Sequence, residues 1–278
     1  RDAGIASHVA DSYWGYATSA GTLIIALLMP LLGAIGDYRG VRMRLFRLFF
    51  LIGVISTAGL AFAPSWSSLL AIYMLTILGF AGANLYYDAA LVDVTTPERM
   101  DRVSTFGFGF GYIGGSTIPL VASIALIMLG PKVGIASELA VRISFLLVAA
   151  WWAVFTIPML RHVKQKYWVE PDAQPIRSSL RRIARTLRNI AGYRAIFIFL
   201  AAYFFYIDGV GTIIHMATVY GDSVGISGNM LLGALLFIQI VAFPFAIIYG
   251  KLAERVGAYR MILVGIGVYI VVCILGYR

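Results

Sequence analysis

Charge is what this sequence has least of: 13% of its 278 residues are Asp, Glu, Lys or Arg, about half the share of an ordinary water-soluble domain. With 60% hydrophobic residues beside that scarcity, lipid rather than water is the expected solvent. Cysteine is nearly absent as well. Cys273 is single and sits in an apolar run, which excludes a disulfide framework and a cysteine-based metal site. His8, His162 and His215 are scattered, so neither a metal cluster nor a Ser-His-Asp arrangement is expected, and no cofactor is implied. Short alternating apolar segments are missing, which excludes a closed barrel and leaves an all-α integral membrane protein. Acids are outnumbered 13 to 22 by Lys and Arg. The basic residues fall in short segments between apolar runs, with no soluble basic domain to hold them, so nucleic acid is not an expected partner.

What is present is a series of long apolar runs. About 20 apolar residues cross a bilayer, and spans are expected near Trp14–Ile35, Phe46–Ala63, Leu69–Val92, Phe106–Leu129, Val141–Leu160, Ala195–Val219, Met230–Tyr249 and Met261–Tyr277. Arginines and lysines collect after the first, third, fifth and seventh of these; the other side holds only Arg1, Lys132, Arg142 and Arg278. The positive-inside rule makes the basic side cytoplasmic and turns both ends of the sequence outward. The chain starts at Arg1 with no initiating Met or signal segment, and is expected to be cut at its start.

The longest connection, residues 161–194, divides an N-terminal lobe (1–160) from the start of a second lobe (195–278). Its second half places Ile176, Leu180, Ile183, Leu187 and Ile190 at helical spacing behind Pro175, with arginines on the other face. This predicts a basic amphipathic helix. Two readings stay open for it: a helix lying on the anionic inner leaflet, or a solvated linker tying two lobes.

The most specific pattern is a repeated loop. Gly33-Ala34-Ile35-Gly36-Asp37-Tyr38-Arg39-Gly40-Val41-Arg42 recurs 217 positions later as Gly250-Lys251-Leu252-Ala253-Glu254-Arg255-Val256-Gly257-Ala258-Tyr259. Gly33 aligns with Gly250, Asp37 with Glu254 and Gly40 with Gly257, as in a transporter built from two related halves. Gly33 and Gly250 are expected to let helices approach closely, Gly40 and Gly257 to permit tight turns, and Asp37, Arg39, Arg42, Glu254 and Arg255 to form ion pairs that open and close. Asp93, at a span end, is expected to pair with Arg42 or Arg39. The rival reading is a charged turn that merely anchors two helices.

The first loop resembles the signature cytoplasmic loop between helices two and three of the major facilitator superfamily, and the second its weaker echo between helices eight and nine. That resemblance implies helices two to nine of twelve. The segments Gly107-Phe108-Gly109-Phe110-Gly111-Tyr112-Ile113-Gly114-Gly115, Trp151-Trp152-Ala153-Val154-Phe155-Thr156-Ile157-Pro158 and Tyr203-Phe204-Phe205-Tyr206-Ile207-Asp208-Gly209-Val210 resemble one branch of it: the autophagy-related vacuolar amino-acid effluxers of fungi and their bacterial permease relatives. The resemblance implies export or release of an amino acid or similar small polar solute.

An acid inside an apolar span marks a functional site by default. Asp208, Thr212 and His215 share one stripe of the sixth span, suited to substrate or proton coupling, with a packing role as the plainer alternative. Gly209 beside Asp208 suggests a locally weakened helix. Asn84, Tyr87 and Asp88 form a second polar group near the cytoplasmic end of the third span. Gly109-x-Gly111-x-x-Gly114 matches a dinucleotide fingerprint by letters only, since no strand precedes it. Gly107, Gly111 and Gly115 instead predict a small-residue packing face. The expected function is secondary transport of a small polar solute by alternating access, proton-coupled, in a bacterial cytoplasmic membrane. The alternative is a receptor or scaffold that keeps the transporter fold without transport. No clustered groups suggest an enzyme.

Overall fold

The computed structural model describes residues 7–170, 172 and 174–276, without the side chains of 7–11, 190, 191, 215, 219, 229 and 258. The expectations resting on Arg1, Tyr277 and Arg278, and on the side chains of His8 and Ile190, therefore lie outside the described residues. Eight helices among the described residues are long and apolar enough to cross a membrane. The regular elements of the described residues are helices throughout, as expected of an all-α membrane protein. In chain order the helices are α1 (Ser7–Gly36), α2 (Val41–Gly59), α3 (Trp66–Ala89), the short α4 (Leu91–Val94), α5 (Met100–Phe110) and α6 (Ile118–Leu129), joined by a π-helical stretch, Gly111–Thr117. They continue with α7 (Ser137–His162), α8 (Pro175–Gly192), α9 (Arg194–Ser223), α10 (Gly228–Val256) and α11 (Ala258–Gly276).

Two boundaries differ from the apolar pattern for a definite reason. The second helix starts at Val41, not Phe46, taking Arg42, Arg44 and Arg47 into its first turns. Arg42 is tolerated there because its charge is buried against an acid. The third helix stops at Ala89, short of Val92; the chain turns at Ala90, and α4 carries Asp93 inward.

The chain gathers into two compact units, one of residues 1–100 and 122–185, the other of 101–121 and 186–278. The division thus runs through the fourth span rather than only through the long connection. In the first unit, Met43, Phe46, Phe49 and Phe50 of α2 pack with Ala83 and Tyr86 of α3, and the Trp152 ring of α7 meets Phe50 edge-on at 6.0 Å. In lipid, helices gain little from hiding apolar surface from one another, so close backbone approach and directional bonds must hold them. Glycine supplies the approach. A methyl group on Gly79 would collide with the backbone of Gly53 and the carbonyl of Phe49, and one on Gly82 with the Phe49 ring. The Tyr86 hydroxyl donates to the Leu32 carbonyl of α1 at 2.9 Å. At the other end of these spans Trp14 stacks on Tyr73 at 4.3 Å, an amphipathic aromatic pair of the kind that sits at a membrane interface.

In the second unit the expected small-residue face of Gly107, Gly111 and Gly115 does not form. All three are exposed, and Gly111 and Gly115 lie in the π-helical stretch with open space beside them. It is Gly109 that faces α10, near Phe243 and Ile247. The π turn has a local cause: Pro119 carries no N–H and cannot donate back along an α-helical ladder. The Ile118 N–H accordingly reaches Ile113, five residues back. Gln239 of α10 donates to the Ser116 hydroxyl in this stretch at 2.8 Å.

Because the α2–α3 contact has no room for a side chain, Gly79→Ala is expected to destabilise the protein by about 1–3 kcal/mol. Gly233→Ala, where the space is open, is expected to be neutral or better. Melting of the two purified variants in detergent decides it, and equal midpoints would refute the close-packing account.

Candidate functional site

The site grows from the turn between α1 and α2. Gly40 adopts φ 72°, a left-handed conformation open to glycine and costly for other residues. It reverses the chain so that α2 begins at once and Arg42 points inward. There the guanidinium meets Asp93, Nη1 to Oδ2, at 2.6 Å. Nη1 also donates to the Ala89 carbonyl at 3.1 Å, and Nη2 reaches Asp37 at 3.4 Å. Asp93 is 2% exposed and Asp37 is open.

A buried carboxylate needs more than one donor. The rest come from the chain that follows α7. The backbone N–H groups of Lys166 and Tyr167 donate to Asp93 Oδ1 at 2.8 and 3.2 Å. Gln165 accepts from the Gly40 N–H at 3.0 Å and donates to the carbonyls of Gly36 and Asp37 at 3.3 and 3.4 Å. Val169 pairs with the loop as a single parallel bridge beside Tyr38, its N–H donating to Asp37 O at 2.8 Å and its carbonyl accepting from Arg39 N at 3.1 Å. Arg39 does not pair with Asp93; it lies over the Trp168 ring at 5.2 Å. Residues 165–169 therefore form a strap laid across the signature-like loop and bonded to every part of its turn.

The strap is continued by α8. Arg182 donates to the Ala34 carbonyl at 2.8 Å and lies over the Tyr38 ring at 4.9 Å, while the Tyr38 hydroxyl donates to Pro175 O at 3.4 Å. Gln165, Lys166, Tyr167, Val169, Tyr38 and Arg182 were not singled out by sequence. The usable signal was a run of hydrogen-bonding and aromatic residues without helical period, Gln165 to Val169, just after a span.

Gly33 is not the point of close approach at this end. Its nearest neighbour to an added methyl is the Leu85 side chain at 4.0 Å, whereas Gly36 lies directly against the Tyr86 ring. In the second unit Gly250 lies tight against Thr105 of α5, and Gly257 ends α10 at φ 97°. Lys251 and Glu254 share a shallow recess with Arg102, Thr105 and Phe106. The ion pairs found among the described residues do not include Glu254 or Arg255. The position 217 residues after Arg42 is Tyr259, so the second loop has no guanidinium at that register, its arginines standing at Arg255 and Arg260.

The intramembrane candidates fall on two helices. Asp208 and Thr212 are exposed one turn apart on α9; the side chain of His215 lies outside the described residues. The helix runs unbroken through Gly209, from Arg194 to Ser223, so the locally weakened segment does not form. Asn84, Tyr87 and Asp88 are exposed on the side of α3 away from its packed face of Gly79, Gly82, Ala83 and Tyr86. Among the described residues, no group of three or more His, Cys, Asp or Glu gathers as a metal site. The assembly holds a buried charge pair. Its buried pair and strap contain no nucleophile with an activating base.

The family model described as "Vacuole effluxer Atg22 like" matches residues 88–277. The chain is 48% identical over 280 residues to an uncharacterized MFS-type transporter, YxiO, of Bacillus subtilis, an alignment covering 99% of this chain and 65% of that protein. It is 26% identical over 150 residues to autophagy-related protein 22-1 of Penicillium rubens, covering 50% of this chain and 24% of that protein. With autophagy-related protein 22-2 of Aspergillus clavatus it shares 25% identity over 185 residues, 63% of this chain and 29% of that one. The chain thus spans less than two thirds of the length of each of these relatives. No solved structure matches it.

Removing one member of a buried ion pair strands the other, at a cost of about 3–5 kcal/mol. Asp93→Ala and Arg42→Ala are each expected to lower the melting point sharply, and Arg42→Met with Asp93→Leu to recover part of the loss. Asp93→Ala should also speed tryptic cleavage after Lys164 and Lys166, both exposed, because their backbone loses its anchor. An unchanged cleavage rate would show that Asp93 does not hold the strap.

Proposed function

The chain belongs to the Atg22-like vacuole effluxer family, and on that premise we propose that it is part of a secondary transporter that moves a small polar solute, an amino acid or similar metabolite, by proton-coupled alternating access. The membrane is a bacterial cytoplasmic membrane, with the basic loops on the cytoplasmic side and efflux as the direction of transport. The supporting observation is the buried Arg42–Asp93 pair and its strap at the basic end of the spans, on a loop that recurs 217 positions later. A static anchor does not need an ion pair there. A well-packed apolar contact stabilises at least as well, whereas a charge pair with sequence-distant donors can open as a unit and close again.

Within this reading Asp37, Arg39, Gly40, Arg42 and Asp93 form the inner gate of the first half, and Gly250, Glu254, Arg255 and Gly257 its reduced counterpart. Asp208 carries the coupling. A carboxylate in an apolar span is costly while charged. Binding either a proton or the ammonium of an amino acid removes that cost, and the two ligands then compete for one site. Thr212 and His215 follow Asp208 at helical spacing in the sequence and extend its polar stripe; Asn84, Tyr87 and Asp88 form a second polar group on α3.

The test is uptake into proteoliposomes holding the intact protein, driven by an imposed pH gradient, with a labelled amino-acid mixture as substrate. Asp208→Asn is expected to abolish gradient-driven uptake while leaving expression and melting unchanged. Full uptake by that variant would remove Asp208 from the mechanism, and no uptake by the unsubstituted protein across a broad solute screen would favour a receptor.

A further inference from the structure

Helix α8 packs on the first unit with the wrong face for an ordinary amphipathic linker. Its fully buried residue is Ser179, and Arg182 beside it makes the bond to Ala34 and the stacking contact with Tyr38. Much of the apolar stripe is left uncovered: Ile176 is 57% exposed, Leu180 51% and Leu187 64%, while Ile183 between them is half-buried. Arg177, Arg181, Arg185 and Arg188 are exposed along one edge of that stripe, and Pro175–Gly192 contains no acidic residue. The position of the helix is also fixed. Arg182 and Tyr38 tie its first turns to the loop where α1 ends and α2 begins, at the level where spans leave the hydrocarbon for the headgroups.

We infer that α8 is a binding surface for anionic phospholipid, its exposed leucine and isoleucine stripe entering the inner leaflet while Arg177, Arg181, Arg185 and Arg188 engage headgroup phosphates. Charge complementarity selects the occupant. An apolar stripe with four arginines beside it and no acid within the helix, the nearest being Asp172 bonded to Ser178 ahead of the stripe, suits a surface that is itself apolar beneath a layer of negative charge. A soluble protein partner with an acidic rim is the competing occupant, but nothing else in the helix supplies the acceptors or shape that such a partner would use. Because Pro175 and Arg182 hold Tyr38 in the loop that the strap crosses, lipid engagement of α8 also bears on the surroundings of the Asp93 anchor, and, resting on the function proposed above, on its opening.

The experiment places an environment-sensitive fluorophore at Leu187→Cys in a Cys273→Ser background and reconstitutes the intact protein in nanodiscs. One set is neutral phosphatidylcholine; the other contains roughly 30 mol% phosphatidylglycerol, in the range where surface charge attracts basic segments. The expected result is a blue-shifted probe and a several-fold loss of quenching by a water-soluble quencher in the anionic discs only. Replacing Arg177, Arg181, Arg185 and Arg188 by Gln should abolish the protection, and replacing them by Lys should keep it, which separates lost charge from lost folding. Inorganic phosphate added to neutral discs should not reproduce the shift. Equal protection in both lipids, protection that survives the Gln variant, or none in either lipid would overturn the inference.

Discussion

One carboxylate organises one end of the first unit. Asp93 sits almost out of reach of solvent, and its two oxygens are shared between a guanidinium from α2 and two amide N–H groups from the chain after α7. Three segments far apart in sequence therefore converge on a single charge. Remove the charge and the backbone of Lys166 and Tyr167 loses its acceptor while Arg42 is left buried without its partner. The apolar packing of Phe46, Phe49, Phe50 and Tyr86 fixes how α2 and α3 cross; Asp93 fixes what lies across their ends.

This division of labour explains a chain so poor in charge. The packed faces of the spans carry little besides glycine, aromatics and hydroxyls that bond back to their own helix, as Thr57 does to Gly53. The buried charge pair stands where the backbone must turn. Arg42 is inside a helix that composition alone would start five residues later, because the cost of burying it is offset by its partner rather than by solvent. The strap uses the same economy: its backbone N–H groups, which would otherwise need water, serve as the counter-donors of Asp93.

Much of this was legible in the residues. Eight apolar runs gave eight spans, since the length required by the bilayer leaves little freedom, although the fourth starts at Pro97 rather than Phe106 and the seventh runs to Val256 rather than Tyr249. The pairing of Arg42 with Asp93 could be anticipated, because an acid at a span end beside a basic turn has few other partners. The strap could not. Its bonds run from backbone atoms of Lys166, Tyr167 and Val169, and backbone chemistry is the same whatever the side chain. Side-chain periodicity also misjudged α8: Ile176, Leu180 and Leu187 correctly signal an amphipathic helix, but not that Ser179 and Arg182 would be its docking side. The glycines failed for a related reason. Spacing marks which residues are small, while Pro119 shifts the ladder before it and hands the contact to Gly109.

The two copies of the turn have aged differently. Gly40 and Gly257 both keep a positive φ, at 72° and 97°, although the surrounding side chains no longer correspond and the arginine of one is matched by the tyrosine of the other. A backbone that must reverse within a residue or two tolerates almost nothing but glycine, whereas a salt link can be dropped from one half once the other suffices. The two glycines share a positive φ but not a conformation, with ψ 3° at Gly40 and 138° at Gly257, so what the two turns have in common is a demand for glycine rather than a fixed path of the chain.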